Sequence, residues 1–277
     1  NTHSYSYEVD CNSDGIKEAT QVSEGYQCTY ETDGAHTLSL VGTLPTFRAD
    51  TNSVSKITSI KQWGNIEWKT LERMFSKSNN LLTITDNAGT PNLTGVTSLF
   101  GVFGSNSKFN ADLSEWNVST ITNMGHAFAT ANKFTSDLSG WDVSNVVNMS
   151  YMFAGANTFN ADISNWDVSS ATEMTAMFSA AQAFTGHNLS CWDISNVGAS
   201  KYKGFSNGWG DNNVEPLWDG SVCAGDEPMD LENAFQITIT GNTFAFLNDF
   251  RDNTHSYSYE VDCNSDGIKE ATQVSEG

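Results

Sequence analysis

The chain has 277 residues, 38% of them hydrophobic, which is enough to bury a core and excludes an intrinsically disordered chain. With 33 acidic against 13 basic residues the net charge is -20, so repulsion excludes nucleic acid and anionic membrane surfaces as partners, while suiting a soluble, self-repelling surface or a weak calcium buffer. No apolar run approaches the roughly 18 residues of a membrane span, which excludes membrane insertion; no charged-then-apolar leader precedes Asn1, and a chain starting at Asn is expected to be cut from something larger.

Residues 1–25, from Asn1-Thr2-His3-Ser4-Tyr5 to Gly25, recur without a change as residues 253–277, an offset of 252 residues. Copies kept alike only by a shared fold differ at surface positions. Perfect identity therefore points to recent duplication, and the chain reads as one period of a tandem array plus the opening of the next, with a cloning overlap as the alternative. The five cysteines are Cys11, Cys28, Cys191, Cys223 and Cys263, and Cys263 is the second copy of Cys11. One period then holds an even set with three possible pairings, the simplest being Cys11 with Cys28 and Cys191 with Cys223. No CxxC or Cys/His zinc spacing is present, so disulfides formed in an oxidising compartment are expected.

Within the first segment, Asp10, Asn12, Asp14 and Gly15 have the spacing that opens an EF-hand-like calcium loop. The position that needs a bidentate Glu is Gln21, and a β-turn accounts for the same residues, so calcium is a candidate cofactor with Asp10, Asn12 and Asp14 as its ligands. Glu18 is a candidate late ligand. Tyr7 to Gly15, Cys28-Thr29-Tyr30 and His36 to Gly42 read as strands separated by turn residues. This pattern resembles a divergent PKD-like, immunoglobulin-type β-sandwich. In that family a Trp usually stands at the position of Cys11 and a His at that of Cys28, a paired change that a disulfide would explain. Residues 1–47 would form the C-terminal part of the sandwich. Its opening strands would come from Phe235 to Thr240 and Thr243 to Leu247, within a segment 229–277 that begins the next sandwich. An open sheet edge of this kind is a template for strand addition by a preceding period or a separate subunit.

From residue 48 to 225 the chain is organised by a 25-residue period. Phenylalanines recur at Phe103, Phe128, Phe153 and Phe178, and again at Phe109, Phe134, Phe159 and Phe184. Tryptophans follow at Trp116, Trp141, Trp166 and Trp192, the last displaced by an insertion near His187. Such self-similarity predicts stacked units, none able to bury its apolar face alone, with the Phe and Trp columns as a structural ladder. Met124, Ala127 and Phe128 have the spacing of one face of a helical turn, and Trp141-Asp142-Val143-Ser144 alternates as a short strand does. The predicted fold class is mostly β with short helical turns: a leucine-rich-repeat-type solenoid plus the β-sandwich. The phrase Phe159-Asn160-Ala161-Asp162-Ile163-Ser164-Asn165-Trp166-Asp167-Val168-Ser169, followed by Glu173-Met174 and Met177-Phe178, resembles the bacterial surface protein 26-residue repeat of the BspA-like leucine-rich-repeat family. The lead-in Ile57 to Ile66 and Leu71 to Phe75 carry the same resemblance, which covers about residues 38–196. It implies a secreted or surface-anchored protein that binds or scaffolds and does not catalyse.

Other candidates are weaker. Asn117, Asp142, Asp167 and Asp193 share one repeat position and Asp112, Asp137 and Asp162 another; stacking these carboxylates demands either a metal or hydrogen bonds from turn N–H groups. Gly204-Phe205-Ser206-Asn207-Gly208 fits the Gly-x-Ser-x-Gly nucleophile pattern but lacks the strand before and helix after it, so no catalytic residue is assigned. His3, His36, His126, His187 and His255 have no paired nucleophile or metal spacing. Asn92, Asn117, Asn148 and Asn188 head N-x-Ser/Thr sequons, and Trp209 and Trp218 are placed to close the apolar end of the last repeat. The function expected is a fibre or stalk built by head-to-tail linkage of periods through residues 1–47 and 229–277, in a pattern that does not close on itself. The alternative is an adhesin module that binds a host protein or glycan.

Overall fold

The computed structural model describes residues 4–23 and 25–219, together with the backbone of 260–261 and 271–272. It divides into two compact units, residues 1–216 and 217–277. Among the described residues the chain is mostly β-structure and turns, with no α-helix and one 3₁₀ turn at Val54–Lys56.

The first unit opens with a three-stranded antiparallel sheet of order β2-β1-β3, formed by β1 (Ser6–Asp10), β2 (Ala19–Val22) and β3 (Ser39–Thr43). Alternation in β1 buries Tyr7 and Val9 on one face. All five residues of β1 find partners in β3, from Ser6↔Thr43 to Asp10↔Ser39. This close pairing depends on Gly42, at φ +121: a Cβ there would lie 2.6 Å from the Ser6 carbonyl oxygen. One expectation needs adjustment. The second strand is Ala19–Val22, not Cys28–Tyr30, and the latter segment is held beside the sheet by a Cys11–Cys28 disulfide and by the Tyr30 hydroxyl donating to the Cys11 carbonyl at 2.8 Å.

Beyond the paired β4 (Ser59–Ile60) and β5 (Thr83–Ile84), which run parallel, the chain stacks in repeats. Phe103, Phe128, Phe153 and Phe178 lie one above another at 6.0, 5.7 and 5.6 Å between ring centroids, and Phe109, Phe134, Phe159 and Phe184 at 6.0, 6.0 and 6.1 Å. The two columns also touch within each repeat, at 4.0 to 4.3 Å. Each of these eight rings is almost fully buried, and burial of one such side chain is worth about 2 to 3 kcal/mol. Trp116, Trp141, Trp166 and Trp192 flank the first column at 5.8, 6.1, 6.3 and 6.4 Å. The indole N–H of Trp141 donates to the Leu113 carbonyl of the preceding repeat and that of Trp166 to Leu138, each at 2.9 Å, so the polar edge of a buried Trp also ties repeats together.

The backbone of each repeat alternates between local and cross-repeat bonding. Met124, His126, Phe128 and Thr130 donate to the carbonyls of Asn148, Ser150, Met152 and Ala154 in the next repeat, while Ala127, Ala129 and Ala131 donate back three residues to Met124, His126 and Phe128. The same pattern recurs from Leu99 to Ser105 and from Met149 to Gly155. Met124, Ala127 and Phe128 thus share a buried face, as their spacing predicts, but the face is a ribbon of turns and not a helical turn. The expected strand Trp141–Ser144 buries Trp141 and Val143 yet forms no ladder; the parallel bridges between repeats fall instead at Ser98, Asn123, Asn148 and Glu173.

The ribbon requires two left-handed residues per repeat. They fall at Gly101 and Ser105, His126 and Thr130, Tyr151 and Gly155, Ala176 and Ala180, and Gly204 and Gly208. A non-glycine residue in this region costs roughly 1 to 2 kcal/mol, which the stacked core offsets. Trp63 and Trp68 pack edge to face at 6.2 Å at the first end, where Trp63 also meets Trp116 at 5.5 Å. At the other end Trp209 packs against Phe178 and Phe184, each at 5.9 Å, as predicted for a closing residue; Trp218 belongs to the second unit.

That second unit contains β6 (Glu260–Val261) and β7 (Ala271–Thr272), paired antiparallel. The strands expected at Phe235–Thr240 and Thr243–Leu247 lie outside the described residues.

Asn106 stands at a position that later repeats fill with Ala and the preceding one with Ser78. It is fully buried, neither its Oδ1 nor its Nδ2 has a hydrogen-bond partner among the described residues, and the equivalent positions hold Ala131, Ala156 and Ala181, all fully buried. An unpaired buried amide costs about 1 to 3 kcal/mol, less what a small cavity takes back. Asn106→Ala should therefore raise stability by about 1 kcal/mol, read as a higher midpoint in urea denaturation.

Candidate interaction surfaces

The predicted calcium loop has its oxygens occupied by the chain itself. Asp10 accepts the N–H of Gly15 at 2.8 Å and those of Asn12 and Asp14 at 3.3 Å, while Asn12 Nδ2 donates to Asp14 and Glu18 accepts the N–H of Cys11 at 2.6 Å. Asp10 is held below the usual carboxylate range: desolvation pushes it up, but the converging N–H groups outweigh that. The same bonds place Gly15 at φ +88 and hold the turn between β1 and β2, with Glu18 also bonded to Val9 through its own N–H. Among the described residues no group of three or more His, Cys, Asp or Glu side chains is placed to hold a metal ion.

The stacked acids are used in turns. Asp112, Asp137 and Asp162 accept the N–H of Ser114, Ser139 and Ser164 at 2.9 to 3.0 Å, and Asn117, Asp142, Asp167 and Asp193 accept those of Ser119, Ser144, Ser169 and Ser195 at 3.0 to 3.2 Å. Asx turns of this kind satisfy an otherwise orphaned donor at every corner of a repeat. The sequon asparagines form such turns too: Asn92, Asn117, Asn148 and Asn188 each accept the N–H of the Ser or Thr two residues on.

Cys11 and Cys28 are joined. Cys191 is also disulfide-bonded, and Cys223 lies outside the described residues. Ser206 of the Gly-x-Ser-x-Gly pattern donates to Glu215 in a very short hydrogen bond and sits in a run of turns. His36 stacks on Tyr30 at 3.9 Å, and His187 bridges Asn160 at 2.8 Å and Asp162 at 3.6 Å.

The bridge face carries an arrangement that the periodicity did not reveal. The Arg73 guanidinium lies 5.0 Å from the Phe100 ring centroid, Phe100 meets His126 at 5.2 Å, and His126 stacks on Tyr151 at 4.7 Å. Four different residue types from four successive repeats thus form a surface row ending at Tyr151, which is 39% exposed. No single residue type repeats along it, and Phe100 stands one position before the place that Arg73, His126 and Tyr151 share, so the period did not flag it. Glu72 beside it accepts a hydrogen bond from Ser98 at 2.5 Å, and Glu173 pairs with Lys201. Burial, and secondarily the charge of Arg73, lowers the His126 pKa, which favours the neutral ring within the row.

Two overlapping stretches, residues 46–146 and 97–211, match the family described as "Mycoplasma protein of unknown function, DUF285". No curated protein and no solved structure matches the chain. Among the described residues no helix is long and apolar enough to cross a membrane.

Acid should act on this surface in two steps. Protonation of His126, whose folded pKa is depressed, removes stability as pH falls below its unfolded value near 6.5. The hydrogen bonds from Ser114, Ser139, Ser164 and Ser169 depress Asp112, Asp137, Asp162 and Asp167, so their contribution is complete above about pH 4 and is lost as pH falls through the folded values. Melting temperature measured from pH 8 to pH 2 should show a shallow decline and then a steep one, with His126→Phe removing only the first.

Proposed function

We infer, for a chain that belongs to the DUF285 family through residues 46–146 and 97–211, a non-enzymatic role outside the cell: its periods link head to tail into a surface fibre or stalk. In this reading the stacked repeats are a short BspA-like, leucine-rich-repeat-type solenoid, and the β1–β3 sheet is part of a PKD-like sandwich completed by the neighbouring period. The observation that carries the proposal is the unchanged recurrence of residues 1–25 as 253–277, which gives one polypeptide the same β element at both extremes of a 252-residue period. The Cys11–Cys28 disulfide supports an oxidising, extracellular setting. A core built of aromatic columns and corners built of Asx turns suit a spacer that must hold its dimensions. A head-to-tail contact between unlike surfaces propagates into a fibre when its rotation does not close a ring.

The surface row Arg73, Phe100, His126 and Tyr151, exposed at its two ends and half-buried between, favours a second reading, in which the same stalk presents an adhesive face to a host protein or glycan. Tyr151→Ala should weaken any glycan-array signal by roughly tenfold, the effect of about 1.4 kcal/mol, while leaving assembly intact.

Deleting residues 229–277 should abolish end-to-end association, seen by electron microscopy and sedimentation velocity as loss of long particles. Long assemblies that persist in the deleted chain would overturn the proposal.

A further inference from the structure

One left-handed position of the ribbon forms a column that runs from repeat to repeat. Each member donates its N–H to the residue before the next member: Arg73 to Phe100, Gly101 to Gly125, His126 to Ser150, Tyr151 to Thr175 and Ala176 to Lys203, at 2.8 to 3.1 Å. In order the column reads Arg73, Gly101, His126, Tyr151, Ala176 and Gly204. At Gly101 the ring comes from the preceding residue: Phe100 carries the Arg73 guanidinium over its ring, meets His126, and would lie 3.1 Å from a Cβ placed on Gly125. After Tyr151 the next two members are Ala176 and Gly204, and Lys203 stands before Gly204 as Phe100 stands before Gly101. The run of rings therefore stops at Tyr151. One face of Tyr151 stacks on His126, and among the described residues no ring stacks on the other.

Charge separates along the same lines. In the ribbon segments 97–105, 122–130, 147–155, 172–180 and 200–208 the acid is Glu173 alone, and it pairs with Lys201 at 2.5 Å. The acidic columns, from Asp112 to Asp162 and from Asp142 to Asp193, belong to the corners between those segments. Lys203 is exposed and makes no ion pair among the described residues. The step beyond Tyr151 thus brings together an open ring face, the Ala176 methyl group and an uncompensated ammonium group, on a molecule whose net charge is -20.

Resting on the adhesive reading, we propose that this step is a subsite for a pyranose bearing one carboxylate, which continues the column by stacking on Tyr151 and meets Lys203 with its acid group. The C–H bonds of a sugar face carry partial positive charge and are attracted to the negative face of an aromatic ring. The ammonium group of Lys203 gives the carboxylate a charge-assisted hydrogen bond. A hydroxylated ring suits the position better than an aromatic acid does, because Gly204 offers no second ring to bury the ligand's far face, which stays in water. A single charge is required for a reason of electrostatics: the acidic corners would repel a polyanion at more places than Lys203 could attract it.

Ligand-observed saturation-transfer NMR on the whole 277-residue chain tests this with two probes that differ in the acid group alone, methyl β-glucuronide and methyl β-glucoside. Both should bind, the glucuronide about threefold more tightly at low ionic strength, the preference an exposed ion pair supplies, and that preference should vanish in salt of about 0.5 M. Lys203→Gln, a change at an exposed side chain, should bind both sugars with the glucoside's affinity. Ala176→Tyr should bind neither, because the chain's own ring then takes the place of the ligand, at a column position where His126 and Tyr151 already stand as large residues. Equal affinities in the unsubstituted chain, a preference that survives Lys203→Gln, or undiminished binding by Ala176→Tyr overturns the subsite, as does the absence of binding by either sugar. Where any of these results accompanies a glycan-array signal that still depends on Tyr151, the adhesive reading stands without this ligand; a signal indifferent to Tyr151→Ala removes both.

Discussion

The repeats depend on one arrangement of the peptide group. Along each ribbon, alternate N–H groups bond three residues back and across to the neighbouring repeat, so a segment too short to form a helix or a sheet still satisfies its donors. The local bonds fix the turn, and the cross-repeat bonds fix the spacing at which Phe103 meets Phe128 and Phe128 meets Phe153. Aromatic stacking and backbone bonding therefore specify the same separation. Neither would suffice alone: an isolated repeat would leave both its ring faces and half its ribbon N–H groups exposed.

Much of this was legible in the sequence, for a physical reason. Columns such as Phe109, Phe134, Phe159 and Phe184 stack ring on ring between repeats, so their spacing announces them. Backbone conformation was not legible. The spacing of Met124, Ala127 and Phe128 is shared by a helical turn and by a ribbon of successive turns, because both bring every third or fourth residue to one side. What separates them is the left-handed backbone at positions such as His126, Thr130 and Tyr151, where glycine, the residue that would betray it, is absent. The β1–β2 hairpin shows a related difficulty: Ala19-Thr20-Gln21-Val22 has little apolar alternation and is ordered by pairing with Tyr7 and Val9 and by the Asp10 turn.

Polar residues left alternatives open in the sequence because their partners are backbone groups, and the turn N–H partners are the ones found. The Asp and Asn columns resemble metal sites or glycan acceptors when viewed as side chains. Viewed with the N–H two residues on, they are corner pieces. The row on the bridge face was missed for the opposite reason: Arg73, Phe100, His126 and Tyr151 share a location and not a residue type.

The repetition of the cross-repeat bonds carries an evolutionary consequence. In the regular part, from Leu99 to Gly155, alternate donors of the ribbon meet carbonyls in the repeat that follows, while Thr122 and Val147 meet those of Thr97 and Thr122 in the repeat before, the same set in each repeat. Excising or inserting a 25-residue module there joins the same donors to the same acceptors and the same ring to the same ring. Unequal recombination can thus lengthen or shorten the molecule in steps of one module without creating a new interface, leaving its reach open to selection while its folding rules stay fixed.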